Sequence, residues 1–287
     1  MLKSAVAQTV ETGTGGVANR DLHMTDQDFQ TICALIHRHA GIALAPHKKE
    51  MVYSRLARRL RHYGMTQFKD YLALLQRPNS DEWEAFTNAL TTNLTSFFRE
   101  AQHFDVMAEQ VKTIKHAPRI WSCAASTGEE LYSIGMTLYE SLGSAASQAK
   151  VLGTDIDTQV LTKARQGVYT LESARGVGEV RLRRFFLRGK GDKAGLVRVS
   201  RDLSNLVEFR RLNLLDAQWD IKGPFDIIFC RNIMIYFDYD TQTTLLDRIA
   251  DLLAPDGLFF AGHSENFSAQ TRKMKLIRNT VYRRMDH

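Results

Sequence analysis

Ile120-Trp121-Ser122-Cys123-Ala124-Ala125-Ser126-Thr127-Gly128-Glu129-Glu130 reads as a buried strand, a turn of small residues and the opening of a helix. The helix pattern follows at once in Leu131, Ile134 and Leu138. Small residues let a backbone approach a ligand closely. Strand, small turn, helix is how a doubly wound α/β domain builds a nucleotide crevice at the carboxyl ends of its strands. The stretch has neither the Gly-x-Gly-x-x-Gly of a dinucleotide site nor the Gly-Lys-Ser/Thr of a phosphate loop. Glu129 and Glu130 stand at the helix N-terminus instead. Acids there repel a pyrophosphate but suit an α-ammonium, which points to S-adenosylmethionine. An ordinary βα turn with an acidic first turn, favoured by the helix dipole, has the same look, so the reading depends on what the other strand ends carry.

Downstream the chain alternates strand and helix, with strand 151–154 and helix 158–165, the order of a parallel sheet. Residues 166–204 interrupt it with a short helix at 178–186 and a glycine-tipped hairpin over 187–199, read as an inserted antiparallel β subdomain. Strands at 207–212 and 225–230, a helix from Thr241 to Leu253, the turn Pro255-Asp256-Gly257, strand 258–261 and a final strand region at 275–283 complete the domain, taken as 119–287. Upstream, residues 1–22 are rich in Thr, Gly, Ala and Val without periodicity and are expected to be a disordered leader. Residues 23–90 read as a small helical domain. Thr25 caps its first helix, Lys48 to Tyr63 turns Val52, Leu56, Leu60 and Tyr63 inward, Thr66 and Asp81 cap two more helices, and residues 91–118 form a polar link and a helix.

The 287 residues suffice for a large α/β domain with a smaller partner, and 44% hydrophobic with 24% charged content is ordinary for a globular protein. No apolar run approaches the ~20 residues of a membrane span, and no secretory signal opens the chain, so the expected location is the cytoplasm. Three cysteines without paired spacing suggest neither a disulfide framework nor a metal cluster; no metal is expected. The net charge of +6 is modest but clustered, with Arg55, Arg58, Arg59 and Arg61 on one helix. That face suits an acidic partner, or is simply solvated.

Four strand ends carry groups that suit one nucleoside ligand. Asp155 ends the second strand, where an acid accepts ribose hydroxyls, although Asp157 nearby serves a helix cap equally well. Asn213 and Leu214 end the third, offering an amide for a purine edge and an apolar face. Arg231 and Asn232 follow the apolar fourth strand directly.

At this point the residues resemble a family. Thr91-Thr92-Asn93-Leu94-Thr95-Ser96-Phe97-Phe98-Arg99-Glu100, Ala125-Ser126-Thr127-Gly128-Glu129-Glu130, Thr154-Asp155-Ile156-Asp157, Cys230-Arg231-Asn232 with Tyr236-Phe237, and Gly262-His263-Ser264-Glu265 are similar to the CheR-type chemotaxis receptor glutamate O-methyltransferases. The match runs in order from about Thr25 to the C-terminus. Pro is frequent after the Glu-Glu pair in that family; Leu131 stands here, a benign change in a first helical turn. The resemblance implies an α/β fold: a class I, Rossmann-like S-adenosylmethionine-dependent methyltransferase domain with a mixed seven-stranded sheet, an N-terminal all-α domain and the inserted β subdomain. It implies that Asn93, Thr95, Arg99, Glu130, Asp155, Asn213, Leu214, Arg231 and Asn232 contact S-adenosylmethionine or its product S-adenosylhomocysteine. It implies a chemoreceptor cytoplasmic domain as partner and a monomeric enzyme.

A glutamate is already ionised at pH 7, so methyl transfer needs orientation and dehydration of the carboxylate rather than a general base. Arg99 and Tyr236 are the residues expected to do this. Arg55, Arg58, Arg59 and Arg61 are expected to meet the receptor, and Arg188 and Arg198 to hold a C-terminal receptor pentapeptide, as the inserted subdomain does in some members of the family. Two other readings compete. A nucleic-acid enzyme of the same fold usually has Asn/Asp-Pro-Pro-Tyr/Phe after the fourth strand, where this chain has Arg231-Asn232-Ile233-Met234, so nucleic acid is not the expected partner. A sensor that binds S-adenosylmethionine without transfer would be supported by a damaged crevice, and none is visible in the sequence.

Overall fold

The structure, a computed structural model, describes residues 22–285. The expected leader therefore lies outside the described residues, apart from Leu22, which is buried with Met24 in the core of the helical domain. That domain packs α1 (Asp26–Ala40), α2 (Lys49–His62), α3 (Phe68–Leu75) and α4 (Glu82–Leu90) around Ile32, Ile36, Leu56, Leu60, Phe68 and Phe86. Thr25 caps α1 as expected, in a reciprocal capping box with Asp28. Thr66 and Asp81 do not cap: α3 starts after Gln67 and α4 after Asp81 without a side-chain bond to the helix. Tyr63, just past the end of α2, leaves its ring exposed and turns only its hydroxyl inward, onto Glu82 (2.7 Å).

The chain continues through α5 (Gln102–Val111), β1 (Arg119–Ser122), α6 (Glu129–Leu142), β2 (Lys150–Asp155) and α7 (Thr158–Gln166). The inserted subdomain is a three-stranded antiparallel sheet of β3 (Val168–Thr170), β4 (Phe186–Arg188) and β5 (Leu196–Val199) in the order β3-β5-β4, with α8 (Glu179–Phe185) between its first two strands. The short β3 and the helix α9 (Arg201–Leu206) escape the sequence reading, since both are too brief to show a period. Then come β6 (Val207–Arg211), β7 (Phe225–Cys230), α10 (Tyr239–Leu252), β8 (Leu253–Ala261), β9 (Met274–Arg278) and β10 (Val281–Arg284). The last two pair antiparallel as a hairpin, where the sequence reads as a single strand region.

Seven strands form one mixed sheet in the order β6-β2-β1-β7-β8-β10-β9, parallel from β6 to β8. Helices α5 and α6 cover one face through Phe104, Met107, Leu131, Ile134 and Leu138; α10 covers the other through Leu245, Leu246 and Ile249. The chain leaves β1 toward β2 and β6, then returns to β7 on the opposite side of β1. The order thus reverses between β1 and β7, and a doubly wound sheet opens its ligand crevice at the carboxyl ends of such a pair.

Candidate active site

Cys123 and Arg231, the residues following β1 and β7, mark that crevice. Ala125 N–H donates to the Thr154 carbonyl (2.8 Å) and Gly128 N–H to the Ala125 carbonyl (2.9 Å), curling the small-residue turn over the end of β2. Gly128 sits at φ +97°, and a Cβ there would stand 3.0 Å from both the Ala164 Cβ and the Tyr169 hydroxyl, so the tight entry into α6 requires glycine. The two glutamates part company. Glu130 points its carboxylate to Ser122 Oγ (2.8 Å) and Arg231 (3.3 Å) and lines the crevice. Glu129 instead accepts from Thr127 Oγ1 (2.7 Å). Burial raises the pKa of both.

Asp155 and Asp157 also separate. Asp157 caps α7, accepting from the Gln159 and Val160 N–H groups, and its other oxygen receives Thr91 Oγ1 (2.7 Å) and Asn93 Nδ2 (2.9 Å). Asp155 is left to the crevice, steadied by the Ser126 N–H (2.8 Å) and the Asp157 N–H (2.9 Å), and burial pushes its pKa up to about 6. The same contacts bind the two domains, because Thr91 and Asn93 lie in the link that leaves α4.

The helical domain roofs the crevice. Gly41, which ends α1 at φ +70°, lies so close to Phe237 that a Cβ would come within 2.5 Å of its ring. The loop Ile42-Ala43-Leu44 follows along the wall, held by Ala43 N–H donating to the Tyr236 carbonyl (3.2 Å). The cavity measures about 340 Å³. Its lining contains Asn93, Thr95, Arg99, Glu130, Asp155, Asn213, Leu214, Arg231, Asn232 and Tyr236, so residues from distant parts of the chain meet in one place. Ile42, Leu44 and Met51 line it too and are not among the residues expected there, and Ile156 appears in the sequence only as a neighbour of Asp155; the apolar run after Gly41, belonging to no helix, is the signal that marks Ile42 and Leu44. Asn213 differs from expectation in its amide, whose nitrogen donates to the His39 carbonyl (2.8 Å) while its oxygen accepts from Leu215 N–H (3.0 Å). It ties the third strand end to α1.

At the floor, Arg231 is buried between Glu100 and Glu130, 3.3 Å from each, and also donates to the Arg99 carbonyl. Burial alone would raise Glu100; Arg231, the Asn232 amide and the His263 N–H together bring it below the ordinary carboxylate value. Glu265, fully covered, accepts from the Asn232 N–H (2.9 Å), Gly262 N–H (2.6 Å) and Ile235 N–H (3.3 Å), which shapes the loop after β7 and supports Asn232 at φ +58°. Arg99 is half-buried, with one guanidinium nitrogen on the Leu94 carbonyl (3.0 Å).

The arginines of α2 do not form one free face. Arg59 makes a twofold bond to Glu82 of α4 (2.7 Å each), and Arg55 donates to the Ala89 and Thr91 carbonyls (3.3 and 2.6 Å). Arg58 and Arg61 are exposed. In the inserted sheet the register sets Arg198 opposite Leu187 and Arg188 opposite Val197, so Arg188 and Arg198 belong to opposite faces of the sheet.

The sheet order, with the crevice at its reversal and a carboxylate at the end of β2, defines an S-adenosylmethionine-dependent methyltransferase domain beneath a helical roof. Comparison with known proteins makes the assignment particular. Residues 27–91 match the CheR methyltransferase, all-alpha domain, and residues 93–283 match the CheR methyltransferase, SAM binding domain. The chain is 54% identical to the chemotaxis protein methyltransferase of Salmonella typhimurium over 91% of each chain. It is 53% identical to that of Escherichia coli, over 91% of this chain and 92% of the relative. It is 51% identical to chemotaxis protein methyltransferase 2 of Pseudomonas aeruginosa, over 92% and 95%. The chain belongs to the CheR methyltransferase family and is an S-adenosylmethionine-dependent methyltransferase. Among the described residues no helix is long and apolar enough to cross a membrane.

Proposed function

We propose that the chain methylates glutamate side chains of chemoreceptor cytoplasmic domains, forming methyl esters that adjust the receptors during adaptation. The names of its relatives supply the pathway. The observation that carries the chemistry is a single cavity whose walls bring Glu130, Asp155, Arg99, Arg231 and Tyr236 together from separate segments. Its size falls in the range of small-molecule sites.

The residues present suit S-adenosylmethionine. Buried Arg231, with Nε and Nη1 lacking a hydrogen-bond partner among the described residues, suits a carboxylate, as does Arg99. Glu130 suits the α-ammonium, Asp155 the ribose hydroxyls, and Leu214 with Ile156 the adenine faces; Asn93, Thr95, Asn213 and Asn232 complete the binding wall. When bound, the sulfonium supplies an activated methyl group. The chain's part is to receive a glutamate already ionised at pH 7, strip its water and hold it in line. Arg99 and Tyr236, on the wall of the cavity, are assigned that orienting role. The test is incubation with labelled S-adenosylmethionine and a receptor cytoplasmic fragment, followed by alkali. Methyl released as methanol supports the reading; alkali-stable label, or label in nucleic acid, sinks it.

Receptor contact falls to the exposed Arg58 and Arg61, with Arg55 and Arg59 acting through the shape they give α2. The unpaired edge of β4 offers main-chain groups to a receptor's C-terminal pentapeptide, with Arg188 at its end and Arg198 on the outer face beside exposed Leu187. Such tethering raises the local concentration of receptor glutamates without altering the cavity. Titration with the pentapeptide should saturate, and Arg198→Ala and Arg188→Ala should each weaken it while S-adenosylhomocysteine affinity holds. No binding at high micromolar peptide would remove tethering from this chain.

A further inference from the structure

We propose that Glu100, His103 and His263 form a binding site for a divalent transition metal, with Zn2+ the best match, directly behind the cavity floor. The three come from the start of α5 and the loop after β8, and each offers one ligand atom within 4.8 Å of the others. Glu100 Oε2 lies 3.5 Å from His103 Nδ1 and 3.8 Å from His263 Nε2. Tetrahedral zinc, with bonds of about 2.0–2.2 Å, holds its ligand atoms roughly 3.3–3.5 Å apart. One edge of the site already has that length and the second is a few tenths of an ångström longer. The third closes by turning the partly exposed His263 ring.

Hydrogen bonding fixes the lone pairs. His103 is fully buried, and its Nε2 faces the Asn279 carbonyl oxygen at 3.1 Å. A carbonyl only accepts, so Nε2 carries the proton and Nδ1 presents a lone pair. That lone pair faces Glu100 Oε2, another acceptor, and neither atom has a hydrogen-bond partner among the described residues. Two acceptors opposed inside a protein repel each other, and a cation between them turns the repulsion into attraction. An imidazole whose outer N–H donates to a backbone carbonyl is also how ligating histidines are commonly oriented.

The surrounding charge permits a dication. Glu100 and Glu130 set two negative charges against the one buried guanidinium of Arg231, so the cluster carries a net negative charge to set against the metal. Gln102, whose amide touches His263 Nε2, is exposed and can swing aside. Three protein ligands of the His-His-carboxylate type leave a fourth position for water. The sequence gives no spacing that would announce this site, because His263 lies in a different part of the chain from the other two.

The test uses the full chain, stripped with a chelator, then titrated with Zn2+ against a chromophoric competitor and with Co2+ by visible absorption. One equivalent should bind, and Co2+ should show the intense visible bands of a four-coordinate site, bleached by Zn2+. His263→Ala, at an exposed position, should weaken binding by ~100-fold or more, beyond the roughly 10–100-fold typical of losing an outer partner. Absence of binding would mean that a proton or a water separates the two acceptors, and the proposal fails. It fails equally if His263→Ala binds Zn2+ as tightly as the parent, since the metal would then sit on other histidines of the nine in the chain.

Discussion

The helical roof and the cavity floor each bury a carboxylate against a guanidinium, and they are completed to different degrees. In the roof, Glu82 receives Arg59 twice, Tyr63 Oη and Tyr71 Oη, four bonds of 2.7 Å that use both its oxygens. Burial alone would raise its pKa, but these partners hold it below the ordinary value. In the floor, Arg231 is shared between Glu100 and Glu130, yet its Nε and Nη1 and Glu100 Oε2 make no hydrogen bond among the described residues, although the charges lie within ion-pair distance. A network with every lone pair used fixes a structure. One with unused capacity, beside a cavity, is suited to receive a ligand. The contrast separates a scaffold from a site within a single chain.

The largest expected effect comes from removing the cation shared across the floor. Arg231→Ala leaves two buried carboxylates without their counter-charge and should lower stability in denaturant titration by about 3–5 kcal/mol, with S-adenosylhomocysteine binding lost. Arg231→Lys should restore more of the stability than of the binding, because a point charge lacks the fork of a guanidinium. A fully stable Arg231→Ala variant would break the comparison at its root. In the roof, Glu82→Gln should cost about 3 kcal/mol of stability while leaving S-adenosylhomocysteine affinity of the folded protein within about twofold. A parallel loss of affinity would show that the two networks are not independent.

Asp155 sharpens the comparison through pH. Its elevated value, about 6, means that a ligand donating hydroxyls to the ionised carboxylate competes with a proton below that pH. Calorimetric affinity for S-adenosylhomocysteine should be flat above pH 7 and fall by up to about tenfold per unit below pH 6. Asp155→Asn should weaken binding by ~1.5–3 kcal/mol and remove that slope. In the free protein the sign for folding is the opposite of the usual carboxylate. The protonated form is favoured by the fold, so this group's contribution is present below 3.8 and is lost as pH rises through about 6. The smallest effect belongs to the surface. Reversing Arg58 and Arg61 to Glu should raise KM for receptor by roughly 5–30-fold at low salt, at ~0.5–1 kcal/mol for each exposed charge, with the effect shrinking as salt is added. Stability should not change, whereas reversing Arg55 and Arg59 should unfold the roof. Equal receptor kinetics after the Arg58 and Arg61 reversal would leave them as solvated charges.

Much of the architecture is written locally. The strand, small turn and acidic helix start at 120–130, the alternation of strand and helix after it, the Thr25 cap and the positions of Asp155, Leu214 and Arg231 at strand ends all follow from periodicity and from residues near in sequence. The order in which the strands pair, which alternation alone leaves open, then brings those ends together. Tertiary structure alone decided what the side chains do once there. A helical wheel sets Arg55 and Arg59 with Arg58 as one basic face; only the packing of α4 on α2 supplies Glu82 and the free carbonyls that turn two of them inward. Asn213 looks available for a purine until the end of α1 claims its amide. Asp155 and Asp157 are interchangeable in sequence and are separated by Ser126 and Thr91. His103 and His263 are strangers along the chain. Each of these choices depends on a hydrogen-bond partner from a distant element, and local sequence carries no record of which element will be packed against it.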